Sequence, residues 1–259
     1  MEAFAPGSIT GLFAPGRNGN PSLGISFAIA DGVTARVVPA ETTTIVRDGA
    51  KISMAPVENV LQSLGVSATV ELVTDIPLGH GFGASGAATL AAAIAANKAC
   101  SCGLDRDVIL TLAHEAEVAA GTGQGDVFIQ DRGGLIWDIG AGVNRRELNQ
   151  TVEYATAGGI ETTSLLSDDD FLALADTHGR DHLSRLPNPP TISAVASLSQ
   201  SYIHTLDLVT EFVETQLTRV SEAGGIGGMA LFGETVFAVK TTNVLPHSSH
   251  VDNRGARII

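Results

Sequence analysis

The alternation of apolar and polar positions changes character along the chain. In the first third, β-branched runs at 24–30, 33–39, 42–46 and 66–73 are separated by Asp-Gly and Gly punctuation, the pattern of short strands. Asp31-Gly32 and Asp48-Gly49 have the composition of hairpin turns. Residues 57–64 carry a short helical pattern. At Pro77 the period shifts. A glycine-dense loop runs into 85–102, a helix of nearly all small residues that stops at Gly103. Asp105 caps a second helix to about Ala120, with Ile109, Leu112, Ala113, Ala116 and Ala120 along one face. Residues 127–130 and 135–138 then read as paired strands around Gly133-Gly134.

A polar stretch at 144–150 is the expected domain boundary, dividing the chain into 1–148 and 149–259. Beyond it, Ser167 and three aspartates open a helix at the end where negative charge suits the helix dipole. A proline-containing loop precedes a helical pattern over roughly 192–222, and strands follow at 229–232 and 235–240. Strands first, then mixed elements without strict alternation, argue for an α+β fold rather than a doubly wound sheet.

Composition narrows the function. The chain has 259 residues, is 44% hydrophobic and has a formal charge of −13, which excludes a disordered chain and argues against a nucleic-acid binder. No apolar run reaches the ~20 residues of a membrane span, and Met1-Glu2-Ala3 lacks a basic leader start, so a cytoplasmic protein is expected. Cys100 and Cys102 are too few and too close for a disulfide framework or a four-ligand zinc site. His178 and His182 flank Gly179, which should interrupt their helix and separate them as metal ligands. His247 and His250 fall in a polar tail, and Trp137 reads as core. Lys51, Lys98 and Lys240 are the only lysines, and none falls in a glycine loop.

The candidate chemistry begins with Pro77, Leu78, Gly79, His80, Gly81, Phe82, Gly83, Ala84, Ser85 and Gly86. Alternate glycines let successive N–H groups converge on one point, and the following helix adds its positive dipole end, which together form a phosphate cradle. Ser85 sets a hydroxyl within reach of a phosphate oxygen or a magnesium ion. The spacing is not that of a dinucleotide fingerprint, and no Gly-Lys-Ser/Thr is present. A second segment decides against a purely structural turn: His114 and Glu117, at i and i+3, share a helix side, and Asp126 follows another glycine-rich turn to begin a strand. Phosphoryl transfer needs one carboxylate to hold magnesium and another to orient the attacking hydroxyl, roles that Glu117 and Asp126 suit.

These residues resemble the GHMP kinase superfamily, whose P-x-G-x-G-x-G-x-S-x-A signature matches Pro77, Gly79, Gly81, Gly83, Ser85 and Ala87. Within it the chain is similar to the archaeal pantoate kinases. The shared runs are Pro6-Gly7-Ser8-Ile9-Thr10-Gly11, Gly32-Val33-Thr34, His114 and Glu117 with 122–127, and the closing run from Met229 to Phe237. The resemblance implies a GHMP fold, with a left-handed β-α-β unit in the N-terminal domain and a ferredoxin-like C-terminal domain. It also implies phosphorylation of a primary hydroxyl by ATP with Mg2+, and a homodimer.

By position, the resemblance gives Ser85 and Glu117 to the metal, Asp126 to the substrate hydroxyl, and the stretch from Pro77 to Gly86 to ATP. His114 becomes a substrate-positioning residue and Gly225, Gly227 and Gly228 a third glycine loop closing the site; Ser8 and Ser22 are further candidate substrate contacts, as is Thr162, which fits ordinary turn or cap chemistry equally well. Mevalonate-type relatives carry a Lys where Ser8 stands. Asn18, Asn20 and Thr163 fit either substrate contacts or ordinary turn chemistry. Leu23 and Asp138 stand where pantoate kinases usually carry arginines. That leaves pantoate and pantothenate as alternative acceptors, with Arg17, Arg36 and Arg132 as substitute cations.

Overall fold

The computed structural model describes the chain except for Asn18, Gln124, 160–164 and Leu166. Two antiparallel-rich sheets carry the molecule. In the first, β1 (Glu2–Ala14) pairs with β2 (Leu23–Pro39), and β2 with β5 (Ala68–Thr74). Beyond β5 lie β3 (Thr44–Arg47), parallel to it, and β4 (Ala50–Ile52). Helix α1 (Ala55–Ser63) makes the crossover back to β5. Strand β6 (Leu135–Asp138) pairs with β2 beside the end of β5, β7 (Asn144–Arg146) pairs with β6, and β12 (Arg257–Ile258) returns to β1.

Helix α2 (Ala84–Ala99) is packed against this sheet and is covered by α1 and by α3 (Arg106–Ala120). Residues 86–96 are all buried, so no side of α2 faces solvent. This explains its composition: alanine is the best helix former and small enough to let neighbours approach on every side. The short α4 (Asp126–Arg132) follows α3. The second sheet runs β11 (His247–His250), β8 (Thr151–Gly159), β10 (Gly233–Val239), β9 (Ile226–Ala230). Helices α6 (Ile192–Thr205) and α7 (Glu211–Glu222) pack on it, whereas α5 (Asp169–Ser184) lies against β1 of the first sheet. One buried cluster joins the first sheet, α2, α6 and the inner face of β10. No helix among the described residues is long and apolar enough to cross a membrane.

Several expectations are corrected. Asp31-Gly32 is no hairpin but part of β2, where a Cβ on Gly32 would stand 2.2 Å from the Ala5 carbonyl; the glycine serves close strand approach. Asp48-Gly49 does turn, with φ of +53° and +76°, between β3 and β4. Residues 127–130 lie in α4, not in a strand, so Asp126 begins a helix. The pattern over 192–222 divides into α6 and α7 at Asp207, whose φ is +55°. Gly179 does not interrupt α5. A Cβ there would stand 2.2 Å from the Phe13 carbonyl, so glycine lets the helix lie against β1. The polar tail contains β11, with the His247 ring stacked on Tyr154.

Candidate active site

A cavity of about 620 Å³ opens over the N-terminus of α2, between β2 and β6 on one side and Leu231 and Phe232 on the other. Its floor is the glycine loop. Gly79, Gly81 and Gly83 all have positive φ (+79°, +85°, +60°), which curls the backbone, and Gly83 is the N-cap of α2. One edge of the loop is tied to the first sheet and to α4: Ser8 N–H donates to the Phe82 carbonyl (2.8 Å), and Gln130 Nε2 of α4 to that of Gly83 (2.7 Å). The other edge is tied to the second sheet. Thr235 Oγ1 donates to the His80 carbonyl (2.7 Å) and lies 2.8 Å from Thr156 Oγ1, which pairs with His80 Nδ1 at 2.7 Å. Gly233 lies so close that a Cβ on it would stand 2.0 Å from the His80 oxygen.

Two carboxylates face the loop. Glu117 is buried and accepts from three hydroxyls: Ser85 Oγ (2.9 Å) and Thr89 Oγ1 (2.6 Å) on Oε1, and Thr122 Oγ1 (2.8 Å) on Oε2. Asp126 Oδ1 accepts from Ser8 Oγ at 2.9 Å. A Cβ on Gly123 would stand 3.2 Å from Glu117 Oε2 and 3.8 Å from Asp126 Oδ2, so the missing side chain leaves a gap that both carboxylates border. Burial pushes the Glu117 carboxyl above the usual range; the three hydroxyls oppose this, and the charge of Asp126 adds to it. Burial also raises Asp126, against the Ser8 hydrogen bond.

No Lys or Arg is hydrogen-bonded or ion-paired to either carboxylate among the described residues. A buried acid and a half-buried one without a cation make a donor set that suits a divalent ion. Ser85 adds a hydroxyl whose proton already goes to Glu117, leaving its lone pairs free. Mg2+ is commonly held by one or two carboxylates with substrate phosphates and water, which fits so partial a set.

The remaining sequence-derived residues divide. Ser85, Gly79, Gly81, Gly83, Ala84, Asp126, His114 and Ser22 line the cavity. His114 Nδ1 is buried without a partner among the described residues, and its ring lies 4.9 Å from that of Phe128. Pro77, His80, Phe82 and Gly86 do not line it. Phe82 is fully buried edge-on against Tyr154, Gly86 lies against Gln130, and His80 is turned to Thr156, so these residues shape the loop. Ser8 reaches Asp126 rather than open space. Thr162, Thr163 and Asn18 lie outside the described residues.

The third glycine loop is not at the cavity. Gly227 and Gly228 lie in β9, against Leu217 and Ala196, and Gly225 against Thr241. Trp137, expected in the core, lines the cavity beside Ile136 and Leu23. Arg17 is paired with Asp169 and Arg36 with Glu2, which leaves Arg132 at the cavity. Sequence reasoning missed Thr89 and Gln130; the one available signal was that Thr89 follows Ser85 by one helical turn. A second hollow, of about 730 Å³, lies between β3, β4 and α1, with Lys51, Glu58 and Gln62 on its walls. It has neither a glycine loop nor a buried acid, so the chemistry is assigned to the first.

Comparison with known proteins agrees with this geometry. Residues 52–134, which contain the glycine loop and both carboxylates, match the GHMP kinases N terminal domain. The fold of the whole chain is the one that solved GHMP kinases share. In sequence it is similar to proteins named pantoate kinase. That of Methanospirillum hungatei is 28% identical over 92% of this chain and 87% of its own length; that of Methanocaldococcus jannaschii is 25% identical over 93% of each. A solved structure described as a phosphotransferase related to the CoA biosynthesis pathway superposes with a TM-score of 0.84, at 22% identity, over 99% of this chain and 97% of its own.

Proposed function

We propose that the protein transfers the γ-phosphoryl group of ATP to the primary hydroxyl of pantoate, giving 4-phosphopantoate and ADP on the route to coenzyme A. The observation that carries this reading is the pair of carboxylates beside Gly123, Glu117 buried and Asp126 half-buried, facing a helix N-terminus preceded by three positive-φ glycines. The pantoate name of the relatives, which span most of the chain, favours that acid over pantothenate.

In this reading the N–H groups of Gly79 to Ser85 and the α2 dipole hold the ATP phosphates, work that the lysine-poor cleft leaves to the backbone. Ser85 and Glu117 hold Mg2+, which when bound neutralises charge on the β- and γ-phosphates. Thr89 and Thr122 fix the Glu117 carboxylate. Asp126, oriented by Ser8, accepts a hydrogen bond from the acceptor hydroxyl and takes its proton as the new O–P bond forms and the bond to the ADP oxygen breaks. A carboxyl raised by burial is a better base than an exposed one. The closed loop supplies positioning and a dry electrostatic site, the main source of rate in such reactions.

Asp126→Ala is expected to abolish ADP release with pantoate while ATP binding, followed by titration calorimetry, changes little. Near-normal turnover by that variant would overturn the assignment.

A further inference from the structure

The working end of the cavity is acidic: Asp126 and Asp138 line it, and Glu117 stands behind Ser85. An acidic acceptor brings one more negative charge into this field, and its carboxylate is bound only if a cation there meets it. Among the described residues that line the cavity, Arg132 is the single Lys or Arg. Its guanidinium has no hydrogen-bond or ion-pair partner among the described residues, whereas Arg17, Arg106, Arg145 and Arg180 are all engaged. Asp138 is occupied in its own turn, where Oδ1 accepts from Gly140 N–H at 2.8 Å.

We infer that Arg132 receives the acceptor's carboxylate and sets the preference for an acid. The inference rests on the kinase reading above, in which Asp126 takes the hydroxyl. Asp126 and Arg132 open and close the same helix, α4, six residues or about 9 Å apart along its axis. Six positions set them about 120° apart around the axis, yet both line the same cavity, and the N-terminal lean of helical side chains tilts the Arg132 arm back along α4, toward a span that a four-carbon hydroxy acid can bridge. The strands that line the same cavity add apolar side chains, Leu23, Ile136 and Trp137, which suit the two methyl groups at the centre of pantoate. The planar guanidinium offers the bidentate geometry that a carboxylate accepts, and an amide in its place loses the charge-assisted pair.

The test is steady-state kinetics of the full chain with pantoate and with its neutral primary amide, for the parent, Arg132→Leu and Arg132→Lys. Arg132→Leu is expected to raise KM for pantoate about 10- to 100-fold, to leave KM for ATP nearly unchanged, and to bring the acid-to-amide preference close to one. Arg132→Lys, which keeps the charge without the fork, should retain part of that preference. If the parent phosphorylates pantoate and Arg132→Leu keeps its KM, or raises KM for ATP with the acid preference intact, the Arg132 inference is overturned and the kinase reading stands. A parent that phosphorylates neither acceptor overturns the kinase reading itself.

Discussion

Glu117 and Asp126 are held by hydroxyls rather than by cations, and this determines how they respond to pH. Burial is the first cause of the rise at both, so the folded chain binds protons there more readily than the unfolded chain. Stability from these groups is therefore full below the ordinary carboxylate pKa and is lost as pH rises through the raised folded values. Asp126→Asn removes the charge of the half-buried member of the pair, whose carboxyl is also raised. Its Tm is expected to exceed that of the parent at about pH 8, with the difference shrinking toward about pH 5. Thermal melts at the two pH values check this, and a lower Tm for the variant at the higher pH would contradict it. Both acids, with Ser85 and His114, stand out in the sequence because glycine spacing and helix periodicity mark them, whereas Ser8 is marked by the resemblance alone. Thr89 and Gln130 were not: one hydroxyl in an alanine run, or one amide in a short helix, carries no spacing of its own.

Elements were legible where helix propensity is strong or where glycine must turn the chain, and less so elsewhere. The helix α2 and the end of α3 at Gly121, φ +68°, follow from propensity and a left-handed cap. The stretch 127–130 looked like a strand because Val127, Phe128 and Ile129 are β-formers, yet Gly125 starts a helix whose Val127 and Gln130 are both buried. Tertiary packing overrides propensity in so short an element. The link from the glycine loop to β8 and β10 was also invisible, since His80, Thr156 and Thr235 are far apart in sequence. Thr235→Val should cost about 1 kcal/mol of stability and raise KM for ATP more than it lowers kcat, with Thr235→Ser restoring both. Chemical unfolding and kinetics together check this; an unchanged KM for ATP would mean that the second sheet does not hold the loop.

For the whole molecule, the two sheets matter because their junction is the cavity: the first supplies Ser8, Leu23 and Trp137, the second anchors the glycine loop through His80. The charge of −13 describes the surface, where screening acts beyond ~8 Å, and does not forbid a phosphate-bearing ligand held by local dipoles. The α+β class followed from pattern, while the shared core of the two sheets did not, because contacts between distant segments leave no period in the sequence. The most direct test of the central claim is ADP release by the purified chain with ATP and Mg2+, measured side by side with pantoate, pantothenate, homoserine, shikimate and mevalonate. The account predicts turnover with pantoate, a 31P signal for 4-phosphopantoate, and little with the others; turnover confined to any other acceptor would contradict it.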